Sequence, residues 1–207
     1  MSKINILNVD EFDIDKFKVT PPEKMSSKNG HQFISFPTYN FNGVDEPLIF
    51  KTDTITLSTY GVPRLSAQFD GDKRNYIKIP LESMDTYHFT DLCMAIDNYT
   101  LDKVADLIKE SSNKYEYQSL IKKPDDNNYP QYVKCNLDVD YKTGAIKSRI
   151  FLRHDDGKLE KINLKSINEL EEYMPFGRTK IKLIGMVNKF YINKNKPIPF
   201  FTSNRLV

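Results

Sequence analysis

Three successive runs in which apolar and polar residues alternate occupy residues 132–164, and turn residues separate them. Alternation with a period of two is typical of β-strands that bury one face. Lys142-Thr143-Gly144 and Asp155-Asp156-Gly157 lie between the runs and have the composition of hairpin turns. The sequence therefore predicts a three-stranded antiparallel meander over residues 132–141, 145–153 and 158–164.

A short helix and a long strand are predicted after the meander. Ser166 and Glu169 have the spacing of a capping box, and Pro175 and Gly177 end the helical pattern. Residues 178–192 then alternate again, with Gly185 at an expected bulge or bend. Three strands, a helix and a closing strand follow the order of an OB-fold, a small barrel plugged by a helix; a generic α+β sheet with this order is the alternative. We therefore predict a mainly β (α+β) fold with an OB-like barrel.

The chain before the meander divides into three predicted parts. Residues 1–30 are polar and poorly patterned, and Asp10, Glu11, Asp13 and Asp15 cluster there, which predicts a flexible acidic arm. Residues 31–59 and 74–81 favour short strands. Apolar residues recur at helical spacing over about 86–111, which predicts one or two helices, divided near residues 98–100. The expected organisation is an N-terminal arm and a single OB-like nucleic-acid-binding domain over 31–207, with a β-rich start and a helical insertion.

Bases and aromatic rings are predicted on the outer face of four strands. If the aliphatic residues of each strand point inward, the residues between them point outward. This alternation assigns outward positions to the following residues: Arg74, Tyr76, Lys78, Tyr132, Lys134, Lys147, Arg149, Phe151, Arg153, Arg178, Lys180 and Lys182. Cations that follow phosphates and rings that stack on bases are what single-stranded nucleic acid requires. Lysines and arginines on an ordinary solvated sheet face are the alternative interpretation.

The charge distribution also favours a polyanionic partner. The formal net charge is only +2, but residues 173–207 contain seven bases and no acid. The predicted helices are mixed or acidic, whereas duplex recognition usually uses a basic helix. Single strands of DNA, or of RNA, are therefore favoured over duplex.

Patterns that indicate catalysis or a cofactor are missing from the sequence. It has no glycine-rich phosphate loop, and its three histidines are widely spaced. His154-Asp155-Asp156 is interpreted as turn chemistry, and Asp138 with Asp140 as a solvated strand edge. The two cysteines, Cys93 and Cys135, fit reduced core positions in a reducing compartment. With no apolar segment of membrane-spanning length, we expect a soluble intracellular protein without enzymatic activity, cofactor or metal.

Three segments carry a resemblance to a known family: Leu57-Ser-Thr-Tyr-Gly-Val-Pro-Arg64, Asp72-Lys-Arg-Asn-Tyr-Ile-Lys-Ile-Pro-Leu81 and Tyr129-Pro-Gln-Tyr-Val-Lys-Cys-Asn-Leu137. They resemble the OB-fold single-stranded-DNA-binding proteins of nucleocytoplasmic large DNA viruses, in particular the African swine fever virus type. The resemblance implies protection of single strands during viral DNA replication, recombination or repair, in the host cytoplasm or viral factory. It implies a binding region that includes Tyr60, Arg64, Arg74, Tyr76 and Lys78.

The acidic N-terminal segment is the expected site for a protein partner. Many single-strand binders recruit partners through an acidic C-terminal tail, whereas this C-terminal region is basic. We hypothesise that residues 9–15 take that role. The expected function is thus sequence-independent binding of single-stranded DNA. The alternative is a non-catalytic scaffolding protein of a virion or replication complex.

Overall fold

The computed structural model describes residues 4–21, 23–24, 32–62, 75–109, 116–140, 142–175, 177–193 and 200–206. In these ranges the chain is mainly β with a few helices, as predicted. The first strands are β1 (Leu7–Asn8), β2 (Phe17–Val19), β3 (Glu23–Lys24), β4 (Gln32–Ser35), β5 (Pro37–Phe41), β6 (Val44–Pro47), β7 (Ile49–Leu57) and β8 (Tyr76–Pro80). The later strands are β9 (Glu116–Gln118), β10 (Ile121–Lys122), β11 (Tyr132–Asn136), β12 (Ile150–Arg153), β13 (Leu159–Ile162), β14 (Thr179–Asn193) and β15 (Phe200–Leu206). The α-helices are α1 (Tyr87–Lys109) and α2 (Ile167–Tyr173), and short 3-10 helices span Val9–Glu11, Ile14–Lys16 and Met84–Thr86.

One large mixed sheet organises the fold, and β14 is its central strand. The order is β1-β7-β14-β15-β11-β10, and β8 also pairs with β11. The first half of β14 pairs with β7, and its second half pairs with β4 and β15. The pairing register with β7 shifts between Lys182 and Ile184, next to the predicted bend at Gly185. A Cβ at Gly185 would lie 2.7 Å from Cζ of Phe50, so the close approach of that buried ring requires glycine here.

A single contiguous apolar core runs through the described chain, from Leu7 to Phe190. Helix α1 contributes Phe89, Leu92, Cys93 and Ile96 to it, as the helical spacing predicts. The predicted division of this helix near residues 98–100 was wrong, because α1 continues unbroken to Lys109. Tyr99 packs edge-on against Phe17, with ring centroids 5.2 Å apart. Such tertiary packing outweighs the weak helix propensity of this stretch.

Residues 4–21 do not form the flexible arm expected from their composition. Leu7 lies opposite Phe50 in a parallel pairing of β1 with β7. Leu7, Val9 and Phe17 are buried, because apolar residues spaced between the acids cover one side of the core. Deleting residues 1–15 would therefore damage the core. The hypothesis of partner recruitment stays a prediction, and it is better tested at the exposed side chains of Asp10 and Glu11.

The three late strands do not form the predicted meander. Strand β11 pairs with β8 and β10, whereas β12 and β13 form a separate two-stranded sheet. Between β11 and β12 the chain makes only an isolated bridge, Val139 to Ile146, among the described residues. The predicted turn does form, and the amide of Gly144 donates to the carbonyl of Asp140. However, the amides of Lys147 and Ser148 both donate to the carbonyl of Asp138, which interrupts a regular ladder.

The sheets of the described chain do not close into a barrel, so the coarser prediction of a mainly β fold is the one that is confirmed. Helix α2 begins as predicted, since Oγ of Ser166 accepts a hydrogen bond from the amide of Glu169. The Glu169 carboxylate accepts in turn from the amide of Lys165 at 2.8 Å.

Candidate nucleic-acid interface

Antiparallel pairing of β8 with β11 brings predicted binding residues together. In the register, Lys78 lies opposite Lys134 and Tyr76 lies opposite Asn136. The intervening residues Ile77, Ile79, Val133 and Cys135 are buried in the core. Because neighbouring residues of a strand point to opposite faces, Tyr76, Lys78, Tyr132 and Lys134 share the outer face.

Three tyrosine rings meet at one end of this strand pair. Tyr60 stacks on Tyr129 with ring centroids 6.3 Å apart, and it meets Tyr132 edge-on at 5.1 Å. The hydroxyl of Tyr60 donates a hydrogen bond of 2.9 Å to the carbonyl of Pro130. The carbonyl of Gly61 accepts from the amide of Lys78, which holds the segment after β7 against β8. The rings are thus fixed from two sides before any ligand binds.

Lysine side chains lie over these rings. Nζ of Lys78 is 4.4 Å from the ring centroid of Tyr132 and 5.3 Å from that of Tyr60. Nζ of Lys134 is 4.8 Å from the ring centroid of Tyr76. Lys122 of β10 lies opposite Tyr132 in the sheet and so belongs to the same face. We call this cluster the lysine–tyrosine platform; its members are Tyr60, Tyr76, Lys78, Lys122, Tyr129, Tyr132 and Lys134.

The lysines of the platform repel one another. Partial burial lowers the pKa of Lys78, and the neighbouring charge of Lys134 lowers it further. Burial also lowers the pKa of Lys122, an effect that Asp97 opposes and Lys134 reinforces. Within the described part of the chain, no carboxylate forms an ion pair with Lys78, Lys122 or Lys134. The platform therefore holds positive charge that an anion would stabilise.

Three platform tyrosines, Tyr60, Tyr76 and Tyr132, have pKa values above that of an ordinary tyrosine. Burial is the main cause that raises the pKa of Tyr60, Tyr76 and Tyr132. A carboxylate lies on one rim, where Glu82 accepts hydrogen bonds from the hydroxyls of Thr59 and Ser58. These bonds lower the pKa of Glu82. Anions are thus favoured over the lysines and disfavoured at that rim.

The platform unites five of the residues predicted from sequence, namely Tyr60, Tyr76, Lys78, Tyr132 and Lys134. Alternation did not identify Tyr129 or Lys122. Tyr129 lies in a loop, half exposed, where no strand periodicity applies. Lys122 lies in a two-residue strand, which is too short to show alternation. The Tyr-Pro-Gln-Tyr stretch was the available signal for Tyr129, because it places a second ring next to Tyr132.

Three cations at the start of β14 and just before it form a separate row. Arg178, Lys180 and Lys182 are exposed, as predicted. Lys180 lies opposite Thr56 and Lys182 opposite Thr54 across the pairing with β7. Among the described side chains, no aromatic ring lies within cation–π distance of these three cations. We call them the β14 row.

The remaining predicted cations and Phe151 are in or before the β12–β13 hairpin. Arg149, Phe151 and Arg153 are exposed there, whereas Lys147 forms an ion pair with Asp140 at 3.1 Å. Leu152 was predicted to point inward, but 36% of its surface is exposed. The hairpin forms a separate two-stranded sheet, so the core does not cover the whole of the face that carries Leu152. Arg64 and Arg74 lie outside the described residues.

The groups considered for catalysis have structural partners. Nε2 of His154 lies 2.8 Å from the Glu160 carboxylate, and Asp140 accepts from the amides of Lys142 and Thr143. Cys93 and Cys135 are buried and free, and burial raises the pKa of both thiols. In the described ranges, no three histidine, cysteine or acidic side chains are grouped as metal ligands would be. No helix there has the length and apolar character needed to cross a membrane.

Comparison with known proteins does not identify the chain. No protein-family model matches it. No curated protein matches it either. The resemblance to viral single-stranded-DNA-binding proteins therefore stays a prediction.

Proposed function

We propose that this protein binds single-stranded nucleic acid on the lysine–tyrosine platform, without sequence preference and without catalysis. One observation carries the proposal: Nζ of Lys78 contacts the rings of both Tyr60 and Tyr132 and has no carboxylate partner among the described residues. A partly exposed ring next to an uncompensated cation offers a stacking surface for a base and a contact for its phosphate.

The dimensions of the platform favour an extended strand. Tyr132 and Tyr76 mark opposite ends of the β8–β11 pairing. Four residue steps along a strand correspond to about 13 Å, so the rings can contact different bases of one extended single strand. Bases in a duplex are already stacked and paired, whereas those of a single strand have free faces. This difference supports single strands as the ligand.

The proposal extends to fold and biological role. The hydrogen bond between Lys78 and Gly61 joins the segment after β7 to β8, which supports an OB-like arrangement of strands around the core. The resemblance of residues 57–64, 72–81 and 129–137 supports a role in protecting single-stranded DNA during viral replication, recombination or repair. The OB-like arrangement and the viral role are both parts of the proposal. The viral role requires that the protein binds an oligonucleotide.

A polarisation titration with a labelled, unstructured oligodeoxynucleotide tests the proposal. We expect binding that weakens steeply as salt rises, because phosphate contacts release counterions. The double variant Lys78→Gln/Lys134→Gln should lose most of this affinity. The matched control is Lys16→Gln/Lys103→Gln, which removes the same charge from two exposed lysines outside the platform; Lys103 also lies near a tyrosine ring, that of Tyr99.

The alternative function is that of a scaffolding protein, and the same titration separates the two. Absence of binding to both DNA and RNA oligonucleotides at low salt would refute the proposal and leave scaffolding as the better hypothesis. Equal losses in the platform variant and in its control would mean that net charge alone attracts the nucleic acid. A titration with DNA and RNA of the same length measures which sugar is preferred.

A further inference from the structure

The β12–β13 hairpin has two chemically different faces. Residues directly opposite in an antiparallel pair point to the same side. Phe151 lies opposite Lys161, and Arg153 lies opposite Leu159, so these four side chains share one face. All four are exposed. The other face carries Ile150 and Ile162, which pack against the core.

Ion pairing within the hairpin leaves the cations of the exposed face free. Glu160 belongs to the other face and lies beside His154, and Asp156 in the turn pairs with Lys158 at 2.9 Å. Within the described residues, no carboxylate lies within ion-pair distance of Arg149, Arg153 or Lys161. An exposed phenylalanine is thus surrounded by unpaired cations, which is the chemistry that a single strand would contact.

The base of the hairpin is next to one end of the platform. Strand β11 ends at Asn136, opposite Tyr76 of the platform. The next residues are tied in place, since the amide of Leu137 donates to the carbonyl of Asn75 and the amide of Asp138 to Oγ of Ser148. Arg149 follows Ser148 directly. From the rise per residue and the distance between neighbouring strands, Tyr76 and Arg149 are roughly 10–15 Å apart along this path.

We infer that the exposed hairpin face, Arg149, Phe151, Arg153 and Lys161, is a second contact for the same single strand, reached by nucleotides that extend past the Tyr76 end of the platform. The inference rests on the proposed function, because the platform is the first contact. Short oligonucleotides occupy the platform alone, and longer ones also reach the hairpin. Nucleic acid is favoured over a protein ligand because the free charges of this face are all positive.

A length series of labelled thymidine oligonucleotides, from about 4 to about 16 nucleotides, tests the inference, since these lengths span the usual site sizes of one OB-like domain. Wild type, Phe151→Ala and Leu152→Ala are compared by polarisation. Leu152 is the matched control, because it is an exposed apolar residue of the same strand that points to the other face. Phe151→Ala should weaken binding of the longest oligonucleotide by at least about fivefold and that of the shortest by less than about twofold.

The outcomes distinguish failure of the inference from failure of the proposed function. Equal effects of Phe151→Ala at every length, no effect at any length, or an equal loss in Leu152→Ala would overturn the second contact while platform binding remains. Absence of wild-type binding at every length would refute the proposed function, and the inference with it. Arg153→Gln/Lys161→Gln supplies an independent measurement: it should reduce the salt dependence for the longest oligonucleotide and leave that for the shortest unchanged.

Discussion

The lysine–tyrosine platform and the β14 row both present cations on the outer face of the large sheet, yet they differ in what surrounds the charge. Lys78 is half-buried and contacts two rings, and its pKa is lowered. Lys180 and Lys182 stand exposed opposite threonines. A cation near a ring is stabilised by about 0.5–1 kcal/mol at an exposed site and by about 2 kcal/mol when desolvated.

This difference separates two modes of binding. A platform of rings and partly desolvated lysines is fixed before the ligand arrives, so little side-chain entropy is lost on binding. The β14 row offers only screened attraction, which weakens with salt and does not depend on bases. Stacking should therefore occur on the platform, and the β14 row should contribute at most to steering.

The largest expected effect comes from removing a platform ring. Tyr132→Ala removes a stacking surface and the ring under Lys78, and we expect a loss of about 1–3 kcal/mol in binding to an unstructured oligonucleotide, roughly 5- to 150-fold. Polarisation titrations at fixed salt measure this loss. The salt dependence should change little, since no charge is removed.

Tyr173→Ala is the matched control for that variant. Tyr173 is 48% exposed at the end of α2, outside the platform, so its removal should leave affinity unchanged. Thermal unfolding of both variants checks that Tyr132→Ala is folded at the assay temperature. Equal losses in the two variants would break the distinction between platform rings and other surface rings.

Single lysine substitutions compare the two sets of cations directly, and we expect a smaller effect from them. Lys134→Gln should weaken binding by about 1 kcal/mol and reduce the slope of log affinity against log salt by about 0.7, because one phosphate contact is lost. Lys182→Gln removes the same charge from the β14 row and should change affinity less. If both variants lose the same affinity and the same slope, the binding surface extends across the sheet to β14.

Sequence periodicity predicted much of the fold, because strand alternation and helix capping depend only on residues that are close together in the sequence. The strand at 178–192, the cap at Ser166 and the outward positions on β8 and β11 follow from alternation and capping. Strand partners do not follow from such rules. Strand β11 pairs with β8, more than fifty residues earlier in the chain, and not with its sequence neighbour β12. The packing of Leu7 and Phe17 is likewise a long-range property that polar composition concealed.

The same limit applies to the candidate site. Alternation indicates that Lys78 and Lys134 point outward, but only the register shows that they lie opposite each other. It also ranked Arg149 and Phe151 with the platform residues, whereas the structure puts them in or next to a separate hairpin. Tyr129 lies in the platform through a loop contact with Tyr60, to which strand patterns do not apply.

The smallest expected effect is a pH dependence that distinguishes Lys78 from the β14 row. The folded protein loses the Lys78 proton below the ordinary lysine pKa of 10.5, because burial and Lys134 disfavour its charged form. A phosphate beside Nζ favours that form, so binding raises the pKa again. Affinity should then be complete below the lowered pKa and fall as pH rises through it, by roughly two- to fivefold, since one linked proton changes affinity by at most about tenfold per pH unit.

Deoxycytidine oligonucleotides suit this titration because their bases do not lose a proton in the alkaline range, and the raised pKa values of Tyr60, Tyr76 and Tyr132 delay the appearance of tyrosinate. Lys78→Arg keeps its charge at high pH, so the fall in affinity should begin at higher pH than in wild type. Lys182→Arg should leave the onset unchanged, because Lys182 lies outside the platform. An onset that moves equally in both variants would show that the alkaline loss comes from general deprotonation of surface lysines and not from the Lys78 cation beside Tyr60 and Tyr132.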